Sequence, residues 1–154
     1  MARPTLLDPL KAFRFKVVID GFARMGFTEV TGLEKDTDEV KYREGGMNET
    51  ERKSAGLSHF GDITLRRGQV MPGQGASDMI DWVEKVHSIQ LGNAVKYRKD
   101  IDIQQLTFYN TVACTWRVSN AWPKKFKPMS DMKGDSSADS YEEITLAHEG
   151  FEKV

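Results

Sequence analysis

The residues able to do chemistry in this chain are few and far apart. His59, His87 and His148 stand singly, and none falls in an HxxxH or HxxE pattern that would bring two ligands together. With Cys114 as the single cysteine, no zinc-type Cys/His spacing exists. Cys114 alternates with Val112 and Trp116 on the apolar side of a strand pattern, which reads as a buried, inert thiol. A cysteine nucleophile needs a neighbouring histidine, and nothing in the sequence supplies one. Asp100 and Asp102 put two carboxylates on one side of a strand, where they could hold a divalent cation. Lys96, Arg98 and Lys99 beside them give a simpler charge balance, so a solvated strand face is expected. Gly73-Gln74-Gly75 ahead of a helix pattern could cradle a phosphate on free backbone N–H groups. The third glycine and the Lys-Ser/Thr of the common fingerprints are missing, so a tight turn is the better reading. No catalytic residue, metal or cofactor is expected.

The elements that must position these side chains follow from periodicity. Phe13, Phe15, Val17 and Ile19 alternate with Arg14, Lys16 and Asp20, which predicts a strand with one packed and one wet face. Residues 27–33 and a short run with Val40 and Tyr42 opposite Lys41 and Arg43 predict two more strands. Ile63 and Leu65 against Thr64 and Arg66 predict another, and Ile101 and Ile103 a fifth. Val112, Cys114, Trp116 and Val118 form a further alternation, and Ile144 and Leu146 against Thr145 and Ala147 the last. One helix is expected at about 77–91, capped by Ser77, with Asp78 and Asp81 at its positive end. Met79, Trp82, Val83, Val86 and Ile89 form its apolar stripe, and Gly92-Asn93 stops it. Residues 1–11 read as an arm, and 120–134 as an irregular segment that Trp122 anchors by burying its indole. Many short strands with one helix predict a mainly β fold, a sandwich or barrel, in a single domain over 1–154.

Composition narrows the function. The 154 residues carry 22 Lys+Arg and 23 Asp+Glu, a formal net charge of -1, which excludes a generally basic nucleic-acid-binding surface. No apolar run approaches the ~18 residues needed to cross a bilayer. Residues 1–13 lack a signal-peptide layout, so synthesis in the cytosol is expected. Residues 122–133 hold four Lys and one Asp, whereas 134–154 hold six acids and one Lys, a split that reads as solvated surface or as complementarity between subunits.

Two features ask for more than a solvated surface. Residues 44–58 form a long charged stretch with no periodicity, in which only Met47 and Leu57 are clearly apolar. Ordering it is costly unless another molecule holds it. A small sheet with one helix also leaves open strand edges, which pair with other chains. Both point to self-assembly; a stand-alone sheet domain binding a sugar or an oligonucleotide is the alternative from another class, although no dense aromatic platform is present.

The ordered motifs match a known family. They run Asp8-Pro9 with Phe13-Arg14-Phe15, VVIDG at 17–21, FTEVTGLE at 27–34, EVKYREGG at 39–46 and DITLRRG at 62–68. They continue with the Trp82 helix, KDIDI at 99–103, TWRVSNAWPKKF at 115–126 and EITLAHEGF at 143–151. Over about nine tenths of its length the chain resembles the tail-tube proteins of contractile-tailed phages and related contractile injection systems.

The resemblance implies a non-enzymatic virion protein with a sandwich-like barrel and one flanking helix. It forms six-membered rings stacked into a hollow tube, inside a contractile sheath and between baseplate and tube-terminator proteins, and is assembled in the bacterial cytoplasm. The inter-subunit loop would be 44–58, with Glu44, Gly45, Gly46, Met47, Asn48, Arg52, Lys53 and Leu57 as contact candidates. Arg14, Lys16, Thr64, Arg66, Asp102 and Gln104 would face the lumen or a neighbour. A near-neutral wall lets DNA pass without sticking. The alternative is a tube or tube-initiator protein of a type VI-like injection system that delivers protein cargo.

Overall fold

Alternation along the strands decides which side chains meet. In the computed structural model, residues 9–22, 26–43, 45–46, 51–69, 76–92, 96–135 and 137–154 are described. Strand β1 (Phe15–Ile19) turns Val17 and Ile19 inward, and β5 (Ile63–Gly68) does the same with Ile63 and Leu65. The other elements are β2 (Glu29–Thr31), β3 (Lys35–Tyr42), β4 (Arg52–Phe60), α1 (Ala76–Gln90), β6 (Lys99–Leu106), β7 (Val112–Lys127), β8 (Tyr141–Ala147) and β9 (Gly150–Lys153).

Seven strands form one antiparallel array in the order β1-β6-β7-β8-β5-β2, with β9 added on β7. The 16-residue β7 is its spine: residues 112–121 pair with β6, 116–119 with β9, and 122–127 with β8. The junction falls at Asn120, whose φ of 52° puts it in the left-handed region that asparagine tolerates. Its backbone N–H donates to Asp100 Oδ1 at 3.1 Å and its Nδ2 to Glu149 Oε2 at 2.6 Å, so the bend is fixed from both sides.

The array thereby folds over on itself. Val17, Ile19, Ile101 and Val118 from one half pack with Ile63, Leu65, Ile144 and Leu146 from the other, and α1 adds Met79 and Trp82. Each such side chain contributes about 1.5–3 kcal/mol of burial. Trp82 Nε1–H donates to Tyr97 O at 2.6 Å, which ties the helix to the strand entry beyond it.

Several expectations are corrected in detail. The helix starts one residue earlier than read, at Ala76, which places Ser77 inside the first turn. Of the stretch 44–58, residues from Arg52 onward are strand β4, paired with β3 from Tyr42↔Arg52 to Lys35↔Phe60. Both faces of that hairpin are exposed, so no apolar alternation marks it. The segment 120–134 is strand as far as Lys127, because β8 supplies a partner edge. Trp122 there is half-buried, its ring edge-on to Tyr97, and no described peptide bond is cis. Cys114 is half-buried rather than buried, with Sγ 3.7 Å from Gln105 Oε1. The arm 1–8 and the Gly73-Gln74-Gly75 turn lie outside the described residues.

Gly32 is required where the chain leaves β2. Its φ is +86°, and a Cβ there would lie 2.0 Å from Asp62 O, a backbone atom with little freedom to move. Gly32→Ala is expected to destabilise the fold by at least about 1–3 kcal/mol, read as a lowered midpoint in urea denaturation followed by circular dichroism.

Candidate assembly interface

Hairpin β3–β4 stands apart from the seven-stranded array as its own two-stranded sheet. A lone two-stranded hairpin is marginal in water, so its order depends on its base and on charge pairing along its length. At the base, Gly61 N–H donates to Glu34 O at 3.1 Å, and His148 Nε2–H donates to Gly61 O at 2.8 Å. Phe60 packs against the rings of His148 and Phe151, with centroids 5.7 and 5.6 Å apart. Further out, Glu39 lies 3.9 Å from Lys41 and 3.5 Å from Lys53, and Glu51 lies 3.4 Å from Arg43. Such exposed pairs give about 0–1 kcal/mol each. The hairpin's order therefore rests mainly on its base.

The loop candidates separate accordingly. Arg52 and Lys53 sit on β4 opposite Tyr42 and Lys41, and Leu57 lies where the ladder slips between Thr37 and Glu39. Gly45 and Gly46 form a turn, with Gly46 at φ +96°. Glu44, Met47 and Asn48 lie outside the described residues.

The wall candidates fall on the outer faces of both halves. Across β2, β5, β8 and β7 the register aligns Glu29, Arg66, Glu143 and Lys127, alternating in sign from strand to strand. Arg66 donates to Glu29 Oε2 at 3.0 Å and to Glu143 Oε2 at 2.8 Å, with its guanidinium 4.3 Å from the Tyr141 ring centroid. The hydrogen bond to Glu143 is the main cause holding the Arg66 guanidinium above its ordinary pKa. Thr64 stands between Thr31 and Thr145.

On the other half, Val18, Asp102, Arg117 and Glu152 line up across β1, β6, β7 and β9. Arg117 grips both oxygens of Asp102 at 2.9 and 3.2 Å, and that hydrogen bonding raises its pKa. Lys16 and Gln104 are cross-strand neighbours. Arg14 differs from the rest: its NH1 donates to Phe108 O and Asn110 Oδ1, both at 3.1 Å, so it braces the β6–β7 turn.

The basic stretch and the acidic one partly answer each other within the chain, since Lys127 faces Glu143 across the ladder and Lys124 reaches Asp62 at 2.8 Å. With Asp102 engaged by Arg117 and Asp100 by Asn120, the Asp100/Asp102 pair is committed to structure. The sequence reading overlooked Arg67 and Glu142, a buried ion pair on the inward faces of β5 and β8. The parity of Ile63, Leu65 and Arg67 was the available signal.

Among the described residues, the outer walls are charge-paired, the strand array ends at β1 and β2 without closing, and the β3–β4 hairpin stands apart from it. The chain belongs to the T4-like virus tail tube protein gp19 family, whose model matches residues 11–152. It is 32% identical, with TM-score 0.79, to a chain of the PVC sheath–tube complex of an extracellular contractile injection system in its extended state, covering 97% of this chain and 94% of that one. A chain of the PVC sheath/tube terminator is 34% identical at TM-score 0.78, with 96% and 97% covered. A chain of the anti-feeding prophage cap, which terminates that tube, is 31% identical at TM-score 0.77, with 96% and 91% covered. No curated protein matches the sequence.

Proposed function

We propose that this chain is the repeating structural subunit of a contractile tail tube. Copies close into six-membered rings, and the rings stack into the inner channel of a phage or phage-like particle. The whole-length likeness to a chain of an extended sheath–tube complex carries this reading. The sheath would surround the tube, with baseplate and terminator proteins at its ends. The role is structural: the outer faces hold carboxylates and guanidinium groups already bonded to each other, as at Arg117–Asp102 and Arg66–Glu143. Such a face gives phosphate groups little free positive charge to hold, which suits a conduit for DNA.

A second reading, a tube that delivers protein cargo, is favoured by one observation. The three similar structures described above come from an extracellular contractile injection system and the anti-feeding prophage.

Electron microscopy of the purified chain, alone and with baseplate components, is expected to show hollow tubes of stacked rings. A chain that stays monomeric in both settings would overturn the reading. Deleting residues 47–54 is expected to abolish tubes and leave the circular dichroism spectrum of the body intact, because every described residue of the hairpin is exposed. Tubes formed by the deletion variant would show that the hairpin has no part in assembly.

A further inference from the structure

One end of β7 carries an exposed apolar knob. Phe13 is 72% and Tyr109 79% exposed, and Phe108 and Val112 beside them are exposed as well. The Arg14 guanidinium holds the cluster together, 5.6 Å from the Phe13 ring centroid and 5.2 Å from that of Phe108. The turn beneath is stiff. Thr107 N–H donates to Thr111 O at 2.8 Å, Asn110 N–H donates to Thr107 O at 3.0 Å, and the two threonine hydroxyls meet at 2.7 Å. Apolar clusters this exposed mark contact surfaces, and tyrosine and arginine are among the side chains that anchor them. Residues 10–14 and 107–112 include Lys11 and Arg14 and no acid. Among the described residues no carboxylate pairs with either cation.

The other end of β7 opens into a cup. Beyond Lys127 the chain returns to β8, and Ser130 Oγ–H donates to Ser140 Oγ at 3.4 Å across the neck of that return. Tyr141 N–H donates to Ser130 Oγ at 3.3 Å and Gln69 N–H to Ser140 O at 3.1 Å. Past the neck lies an open cavity of about 260 Å³, lined mainly by Asp131, Met132, Lys133, Asp139, Ser140 and Tyr141. A cavity of about 150 Å³ already holds benzene, so the cup has room for an aromatic ring. Met132 suits such a guest, because its thioether packs well against ring edges. Residues 128–140 carry three Asp and one Lys. Asp131 is 86% exposed and meets Lys127 at 3.6 Å, a pair too exposed to hold it firmly.

Knob and cup thus match in shape and in sign. They adjoin Val112 and Lys127, the first and last residues of one strand. Among the described residues no hydrogen bond, ion pair or ring contact joins them within the chain. Two different patches carried by every copy make a heterologous contact, which closes a ring or continues as a stack.

We propose that the Phe108–Tyr109 turn of one copy seats in the 128–140 cup of a second copy, with Tyr109 against Met132 and with Lys11 and Arg14 facing Asp131 and Asp139. The opposite charges steer the encounter and fix its register. This inference rests on the tube reading and adds to it a contact separate from the β3–β4 hairpin.

Charge substitution tests it. Tyr109→Asp is expected to melt like wild type as a monomer, since its side chain is exposed. It should lose more than about tenfold in its sedimentable, assembled fraction, because the new carboxylate would be desolvated beside other acids. Adding Met132→Lys to that chain sets an ammonium opposite the carboxylate and is expected to restore most of the loss. Cross-linking in a Cys114→Ser background gives an independent reading. Val112→Cys and Lys133→Cys chains, mixed, assembled and treated with a short bis-maleimide, should form a covalent dimer that requires both. Val112→Cys mixed with Leu91→Cys, an exposed position after the helix, should form none. Normal assembly of Tyr109→Asp, a loss that Met132→Lys leaves unrepaired, or tubes without the Val112–Lys133 cross-link would overturn the knob-and-cup contact and leave the tube reading standing. Absence of any wild-type assembly, even with baseplate components, would overturn both.

Discussion

Replacing Glu142 by alanine is expected to lower the free energy of unfolding by about 3–5 kcal/mol. Glu142 and Arg67 stand opposite each other in the β5–β8 ladder, 5% and 1% exposed, and Arg67 Nε donates to Glu142 Oε1. Neither guanidinium nor carboxylate has water to turn to. Truncating the acid removes the carboxylate that the buried guanidinium faces, which costs more than the pair itself contributes. For a domain of this size the loss corresponds to a fall of roughly 10 °C or more in Tm.

Double substitution distinguishes a penalty of isolation from an intrinsic gain. Arg67→Met with Glu142→Leu fills similar space without charge and is expected to recover most of the loss. Urea denaturation of the three proteins, with unchanged slopes, checks this. A cost below about 1 kcal/mol for Glu142→Ala would show that water reaches the pair.

Trp82→Ala is expected to be of similar severity, about 3–5 kcal/mol. The indole is 1% exposed, meets the edge of Phe22 at 5.4 Å and 86°, and donates to Tyr97 O. Its removal opens a cavity between helix and sheets, and leaves the Tyr97 carbonyl without that donor. Trp82→Phe keeps much of the packing and loses the N–H, so it should cost about 1–3 kcal/mol. Thermal melts followed by circular dichroism separate the two variants. If they prove equally stable, the helix is held by something other than this side chain.

The parts of the fold that could be read from the sequence are those with one wet and one dry face. Val17 and Ile19, Ile63 and Leu65, and Ile144 and Leu146 announce their strands because water lies on only one side. The helix was readable for the same reason, with Met79 and Trp82 marking its inward stripe. Strand β4 was missed because Arg52 to Phe60 is exposed on both faces, which removes the signal that alternation depends on. The far half of β7 was hidden by Asn120 and by Pro123, residues that usually end strands and here accompany its passage from one half of the array to the other. Arg67 went unnoticed because a charge at an inward position looks like the end of a strand, and its counter-charge is 75 residues away.

The length of β7 has a mechanical consequence. A tail tube is a body that is pushed, and a push delivered to one half of a sandwich tends to slide it over the other. Here the covalent backbone of one 16-residue strand runs through both halves, held by β6 and β9 along one stretch and by β8 along the next. Sliding the halves apart would therefore have to strip ladders of hydrogen bonds lengthwise, many at once, instead of parting a greasy seam. In the proposed tube, β7 of each copy would act as a tie rod, so that a stack of such subunits transmits thrust without its layers creeping.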